Sequence, residues 1–263
     1  MRNKKDNKKE VYAKKHFGQN FLKDNNIIKK IIEVFDFSNQ NVVEIGPGRG
    51  ALTKELIKQA KHLTCYEIDQ DMVNVINSEI ISDKLTLLHQ DFLKADLNPI
   101  ENAYLIANIP YYITTDILFK VFENKERFKG VLLMVQKEVA ERICAKPNTS
   151  EYSKLSVSAQ YLAECKIEFI VPASCFSPTP KVDSAIISLV FKDDVSSDDW
   201  NKLKDFFKDI FANRRKKLSY SLKNNYSKDK IQQVFASLGY DDNLRIQQLD
   251  VETIVKLFEL LNN

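Results

Sequence analysis

Between about residue 40 and residue 192, short apolar runs alternate with amphipathic stretches. The runs Asn41–Ile45, Leu63–Glu67, Leu85–Leu88, Tyr104–Asn108, Gly130–Val135, Lys166–Val171 and Ser184–Phe191 predict seven strands. Helical spacing falls between the first five. Leu52, Leu56 and Ile57 share one helix face, and Met72, Val73 and Ile76 share another. Such alternation predicts a mostly parallel sheet covered on both faces. The last two strands follow one another across the Pro-rich loop Pro172–Pro180, which predicts an antiparallel ending. Near Lys192 the pattern changes. Asp193, Asp194, Ser196, Ser197, Asp198 and Asp199 make a polar linker, after which Trp200, Leu203, Phe206, Phe207, Ile210 and Phe211 recur at helical spacing. The expected fold class is therefore α/β: a Rossmann-like sheet domain over residues 1–194, then a small all-helical domain over residues 195–263.

Composition changes this picture little, and charge distribution changes it more. A net charge of +3 on 263 residues names no partner. However, residues 1–15 form a basic arm carrying Arg2, Lys4, Lys5, Lys8, Lys9, Lys14 and Lys15. A second basic stretch carries Arg214, Arg215, Lys216, Lys217, Lys223, Lys228 and Lys230. Two basic ends can gather a polyanion, although a lone charge run is more often a solvated face. Cys65, Cys144, Cys165 and Cys175 form no CxxC pair, and His16, His62 and His89 are scattered, so neither a metal site nor a disulfide framework is expected. That favours a reducing, cytoplasmic setting. No apolar run is long enough to span a bilayer, and no hydrophobic segment follows the basic N-terminus as in a secretory signal.

The first strand runs through Glu44 into Gly46-Pro47-Gly48-Arg49-Gly50 and a helix. A strand, a glycine turn and a helix are the parts of a nucleotide site. The next strand ends at Glu67, 21 positions after Gly46, where a carboxylate can accept both ribose hydroxyls. The spacing GxGxG differs from the GxGxxG of dinucleotide enzymes, which sets a helix N-terminus against a pyrophosphate. A carboxylate at Glu44 would repel a pyrophosphate but suits a ligand with an amino group and a positive centre, as in S-adenosylmethionine. Gln90-Asp91-Phe92, at the end of the third strand, offers an acceptor for an adenine amine.

The fourth strand ends in Asn108-Ile109-Pro110-Tyr111-Tyr112, where a ligand beyond the carboxyl ends of the strands would lie. Alone, Asn and Pro here would be an ordinary turn. Beside a methyl-donor site they suit a planar nitrogen. The Asn108 side-chain oxygen and the Ile109 carbonyl can accept its two hydrogens, Pro110 stiffens the turn, and Tyr111 can stack on a flat substrate. A base in a duplex would first be flipped out.

With these motifs the sequence resembles the ribosomal RNA adenine N6-dimethyltransferases, and within them the small-subunit branch. The resemblance rests on His16–Leu22, Glu44–Gly50, Asn108–Tyr111, Gln136–Arg142, Leu155–Val157 with Gln160-Tyr161, Phe176–Ala185 and Arg214–Lys216. It implies a methyltransferase with S-adenosylmethionine contacts at Asn20, Leu22, Gly46, Glu67, Asp91 and Asn108, flanked by Gln19, Glu44, Gly48, Ile68 and Phe92. It implies two adjacent adenines near the 3′ end of small-subunit rRNA as target, each methylated twice. The substrate would be a pre-30S particle, with Arg214, Arg215, Lys216 and Lys217 on RNA, no membrane partner and a monomeric enzyme. Phe176 would supply the second face of a base sandwich. Ser153 and Tyr112 depart from the family pattern, and Arg245–Leu249 matches its tail motif loosely.

Rival readings are a large-subunit adenine methyltransferase, a protein glutamine methyltransferase with an Asn-Pro-Pro-Tyr turn, a non-catalytic assembly factor and an NAD oxidoreductase. Gln136–Arg142, Lys181–Ala185 and the helical tail argue against the first, and the basic tail and opening motif against the second. The intact glycine and acceptor turns argue against the third, and the glycine spacing against the fourth.

Overall fold

The computed structural model describes residues 13–14 and 18–263. Most of the expected basic arm, together with His16 and Phe17, lies outside the described residues. In chain order, the opening elements are β1 (Phe21–Leu22), α1 (Asn25–Ile32), β2 (Asn41–Ile45), α2 (Thr53–Gln59), β3 (His62–Glu67), α3 (Gln70–Glu79) and β4 (Leu85–His89). They are followed by β5 (Ala103–Asn108), α4 (Thr114–Glu123), β6 (Phe128–Gln136), α5 (Lys137–Ile143), α6 (Lys154–Leu162), β7 (Ala163–Val171), β8 (Phe176–Ser177) and β9 (Ser184–Phe191). The tail holds α7 (Ser197–Phe211), α8 (Leu218–Leu222), α9 (Lys228–Ser237) and α10 (Val251–Asn262).

Seven strands form one sheet in the order β4-β3-β2-β5-β6-β9-β7. The first five run parallel, and β9 pairs antiparallel with both β6 and β7. All seven expected strands are present, and the antiparallel ending is as the Pro-rich loop suggested. The central strands read as continuous apolar runs because both faces are covered. Val43, Ile45, Leu105, Ala107 and Leu133 enter the core on one face, while Val42, Ile106, Leu132 and Met134 enter the core on the other. Order reverses around β2 and β5, so the ends of β2, β3, β4 and β5 open onto one crevice.

The tail helices pack onto this body through aromatic side chains. Trp200 stacks on Phe119 with ring centroids 6.4 Å apart, and Phe207 meets Tyr161 at 5.8 Å. These rings belong to the same buried cluster as the sheet face. One small element went unforeseen: β1 pairs antiparallel with β8, bringing Leu22 opposite Phe176. Two-residue strands carry no periodicity to read.

Candidate active site

The glycine turn takes its shape from backbone conformations that side chains resist. Gly46, Gly48 and Gly50 have φ of 64°, 55° and 76°. A Cβ on Gly48 would also lie 3.0 Å from the ring of Phe21, which in turn holds the Arg49 guanidinium 4.7 Å from its centroid. Thus the short strand β1 closes over the turn. Below it lies a pocket of about 200 Å3. Gln19, Asn20, Leu22, Glu44, Gly46, Gly48, Glu67, Ile68, Asp91, Phe92 and Asn108 all line this pocket. Ile109, Pro110 and Tyr111 line it too, so the eleven positions expected around the methyl donor and four of the five expected at the acceptor share one crevice.

Two of its carboxylates, Glu67 and Glu44, are buried and partly satisfied. Glu67 is 4% exposed; its Oε2 accepts from Gly48 N at 3.0 Å and its Oε1 from Asp69 N at 2.8 Å. A carboxylate oxygen has two lone pairs, so each retains capacity for a ligand hydroxyl. Burial raises the Glu67 carboxyl above its ordinary value, against the lowering effect of those backbone bonds. Glu44, at the end of β2, accepts from Thr53 Oγ1 at 2.7 Å and from Cys65 Sγ at 3.5 Å. Burial pushes Glu44 up to about 7, with Thr53 and Cys65 opposing and the charge of Glu67 assisting. These four donors are all uncharged, so the acidity of the crevice suits a cationic ligand. Asp91 caps a single 3-10 turn, accepting from Leu93 N at 2.9 Å, and Phe92 is buried beside it.

Within the acceptor turn, the Asn108 side chain is oriented by a hydrogen bond. Asn108 Nδ2 donates to the Asn20 carbonyl at 3.0 Å. A carbonyl only accepts, so the Asn108 amide nitrogen is committed there and its Oδ1 is left for another partner. Ile109 N donates to Met134 O at 3.3 Å, keeping the turn on the sheet beyond β5. Tyr111 is anchored by its hydroxyl, 2.9 Å from Ser184 Oγ at the start of β9. Tyr112 is 64% exposed at the pocket mouth, its ring 3.4 Å from the Cβ position of Gly18.

Two expected site residues are placed differently. Phe176 does not line the pocket: pairing of β8 with β1 turns its ring into the core, where it is 1% exposed, and Ser177 reaches the pocket instead. A ring so buried cannot form the second face of a base sandwich as placed. Arg214 donates to Ser150 O at 2.6 Å and Thr149 O at 2.8 Å, tying the tail to the loop before α6. Arg215, Lys216 and Lys217 instead line a groove with Lys223, Lys228 and Arg245, against one lining carboxylate, Asp242. Tyr220 lies within it, 3.8 Å from Lys216 Nζ and 4.3 Å from Lys223 Nζ. Among the described residues there is no group of His, Cys, Asp and Glu that could hold a metal, and no helix is long and apolar enough to cross a membrane.

Sequence reasoning did not single out Thr53, Cys65 or Asp69. Thr53 and Cys65 read as ordinary helix and strand residues, and only the fold shows them donating to Glu44. Asp69 had a visible signal: an acidic residue just before a helical pattern is a cap.

Comparison with known proteins gives concordant results. The family model described as ribosomal RNA adenine dimethylase matches residues 11–263. A ribosomal RNA small subunit methyltransferase A of Mycoplasmopsis synoviae is 52% identical, over 95% of this chain and 97% of the relative. Its counterpart in Mycoplasmopsis pulmonis is 48% identical, over 94% and 98%. Among solved structures, a dimethyladenosine transferase of Plasmodium falciparum superposes with a TM-score of 0.82 at 28% identity, covering 92% of this chain and 97% of that one. The 23S rRNA methyltransferase ErmE superposes with a TM-score of 0.71 at 26% identity, covering 93% and 100%.

Proposed function

The chain belongs to the ribosomal RNA adenine dimethylase family, and on that basis we propose that it dimethylates N6 of two adjacent adenines near the 3′ end of small-subunit rRNA. Small-subunit methyltransferases at 46–52% identity over most of both chains support that branch over the large-subunit one, for which ErmE stands at 26%.

The methyl donor is S-adenosylmethionine, which supplies an electrophilic methyl group on a sulfonium. The residues present suit it. Glu67 keeps lone pairs for the ribose hydroxyls, Asp91 and Phe92 stand where the base would lie, and Glu44 offers a buried negative charge to the cationic end. Gly46 and Gly48 admit the ligand close to the backbone.

At the acceptor, the chain's own task is alignment. The lone pair of an adenine amine is delocalised into the ring and is a weak nucleophile. In the first transfer Asn108 Oδ1 accepts one N6 hydrogen and the Ile109 carbonyl the other, which fixes the nitrogen and favours the pyramidal geometry of attack. In the second, the one remaining hydrogen is held by one of these two acceptors. Tyr111, pinned at Ser184, stacks on the flipped base; stacking of this kind contributes about 1–3 kcal/mol per base. No strong general base is required, because the N-methylated cation loses its proton readily to water. Positioning and electrostatics carry the rate. The single observation that carries this reading is the committed Asn108 amide, with Nδ2 on Asn20 O and Oδ1 turned elsewhere.

The basic groove of residues 195–263 serves as the rRNA-binding surface, with Arg215, Lys216 and Lys217 on phosphates and Arg214 as the tie that holds it in place. The enzyme works as a cytoplasmic monomer on a pre-30S particle. The test is a comparison of substrates: purified protein and labelled S-adenosylmethionine are mixed with small subunits lacking the 3′-end dimethyladenines, or with naked large-subunit RNA. Label on the small subunit alone supports the reading. Label on the large-subunit RNA alone would move the chain to the other branch.

A further inference from the structure

Lys14 counts among the basic residues of the N-terminal arm, where a polyanion would be its expected partner. Its ammonium is engaged elsewhere. Lys14 Nζ lies 2.6 Å from Asp69 Oδ1 and 2.7 Å from Asp71 Oδ2. The Asp69 side chain is 1% exposed, and its other oxygen accepts from Gln19 Nε2 at 2.8 Å. The Gln19 Oε1 accepts from Lys14 N, also at 2.8 Å. Both ends of the Gln19 amide are thus used within the protein, although the residue lines the pocket.

This network touches both halves of the site. The Asp69 backbone N–H donates to Glu67 Oε1 at 2.8 Å, next to the carboxylate assigned to ribose. One residue after Gln19, the Asn20 carbonyl receives Asn108 Nδ2 at 3.0 Å. Burial by itself would raise the Asp69 carboxyl, but bonds from Lys14, Gln19 and Asp71 N outweigh it and hold the group below its ordinary value, as a charged anchor.

We propose that Lys14 is a positioning residue for the methyl donor: through Asp69 and Gln19 it fixes Glu67 on one side and the Asn20–Asn108 contact on the other. This rests on the donor reading above. Lys14 does not line the pocket and acts through the carboxylate it neutralises. Without it, Asp69 would remain a buried charge with fewer partners, and such charges are costly to leave unpaired.

The test is calorimetric titration of the full chain with S-adenosylhomocysteine. Lys14→Met should raise its dissociation constant about tenfold, the order expected for removal of a charge-assisted hydrogen bond. Lys14→Arg should restore most of the affinity. Gln19→Leu should weaken binding too, and the double variant should lose less than the product of the two single losses, because both act through Asp69. In steady state, KM for S-adenosylmethionine should rise more than kcat falls, and the salt dependence of rRNA binding should not change. A dissociation constant within twofold of wild type in Lys14→Met overturns the inference, as does a change confined to rRNA binding. A wild-type chain that fails to bind S-adenosylhomocysteine would instead defeat the donor reading itself.

Discussion

Replacing Glu44 by Gln should flatten the pH dependence of S-adenosylmethionine binding. Glu44 is 2% exposed, and burial moves it from its ordinary 4.5 to about 7. That displacement corresponds to about 3 kcal/mol between the protonated and ionised forms. A cationic ligand prefers the ionised form, so binding below pH 7 must first remove the proton. One pH unit below the midpoint this costs about 1.4 kcal/mol, or about tenfold in affinity. Affinity should therefore rise about tenfold between pH 6 and pH 7.5 and then level off. Calorimetry at pH 6 in buffers of different ionisation enthalpy should detect a proton released on binding. In Glu44→Gln the rise and the released proton should both vanish, and affinity at pH 7.5 should be lower than wild type. The ligand-free protein supplies a second readout with a defined sign. A carboxyl raised in the folded state contributes stability that is full below about 4.5 and is lost as pH climbs through about 7. Glu44→Gln should therefore soften the fall in melting temperature across that window. Equal pH slopes for wild type and variant, in both binding and melting, would mean that Glu44 is not the group that titrates there.

Other outcomes follow from the same geometry. Asn108→Ala should lower methyl transfer by at least about a hundredfold, as for removal of a preorganised polar group, while rRNA binding in a filter assay survives. Asn108→Asp should be no better, since a carboxylate cannot donate to the Asn20 carbonyl. Replacing Arg215, Lys216 and Lys217 by Gln should lower the slope of log affinity against log salt by about 0.7–0.9 for each phosphate that a cation no longer neutralises. Arg214→Met should instead lower the melting temperature, because its guanidinium holds the Thr149 and Ser150 carbonyls. Gly48→Ala should destabilise by more than the about 1–2 kcal/mol of a left-handed residue, because its Cβ meets Phe21 at 3.0 Å. Gly46→Ala, with no atom closer than 3.9 Å, should show only that conformational cost, and equal melting losses would count against the packing of Phe21 on the turn.

The sheet was legible because its strands are uniform apolar runs separated by helical periods, and the glycine turn was legible because positive φ leaves few residue choices. The ends of β2, β3, β4 and β5 then placed Glu44, Glu67, Asp91 and Asn108 around one crevice as their spacing implied. What was not legible depends on long-range contacts. Asp69 and Lys14 are 55 positions apart, and Asn20 and Asn108 are 88 apart, so no local pattern announces either bond. Phe176 was misplaced for a related reason: an aromatic in a Pro-rich loop reads as available, and only its pairing opposite Leu22 shows that it is core. Arg214 likewise sits in a run of four cations that look equivalent in sequence, yet its guanidinium is taken up by loop carbonyls outside the groove lined by the other three.

If the Asn108 turn presents N6 of adenine to the methyl donor, the product itself should record it. Small subunits lacking the 3′-end dimethyladenines are incubated with S-adenosylmethionine and either wild type or Asn108→Ala, then digested and analysed by mass spectrometry. Wild type should leave N6,N6-dimethyladenosine on two adjacent adenines, and the variant should leave subunits bound but unmodified. Methyl groups on another atom or nucleotide, or undiminished transfer by Asn108→Ala, would contradict the role given to that turn.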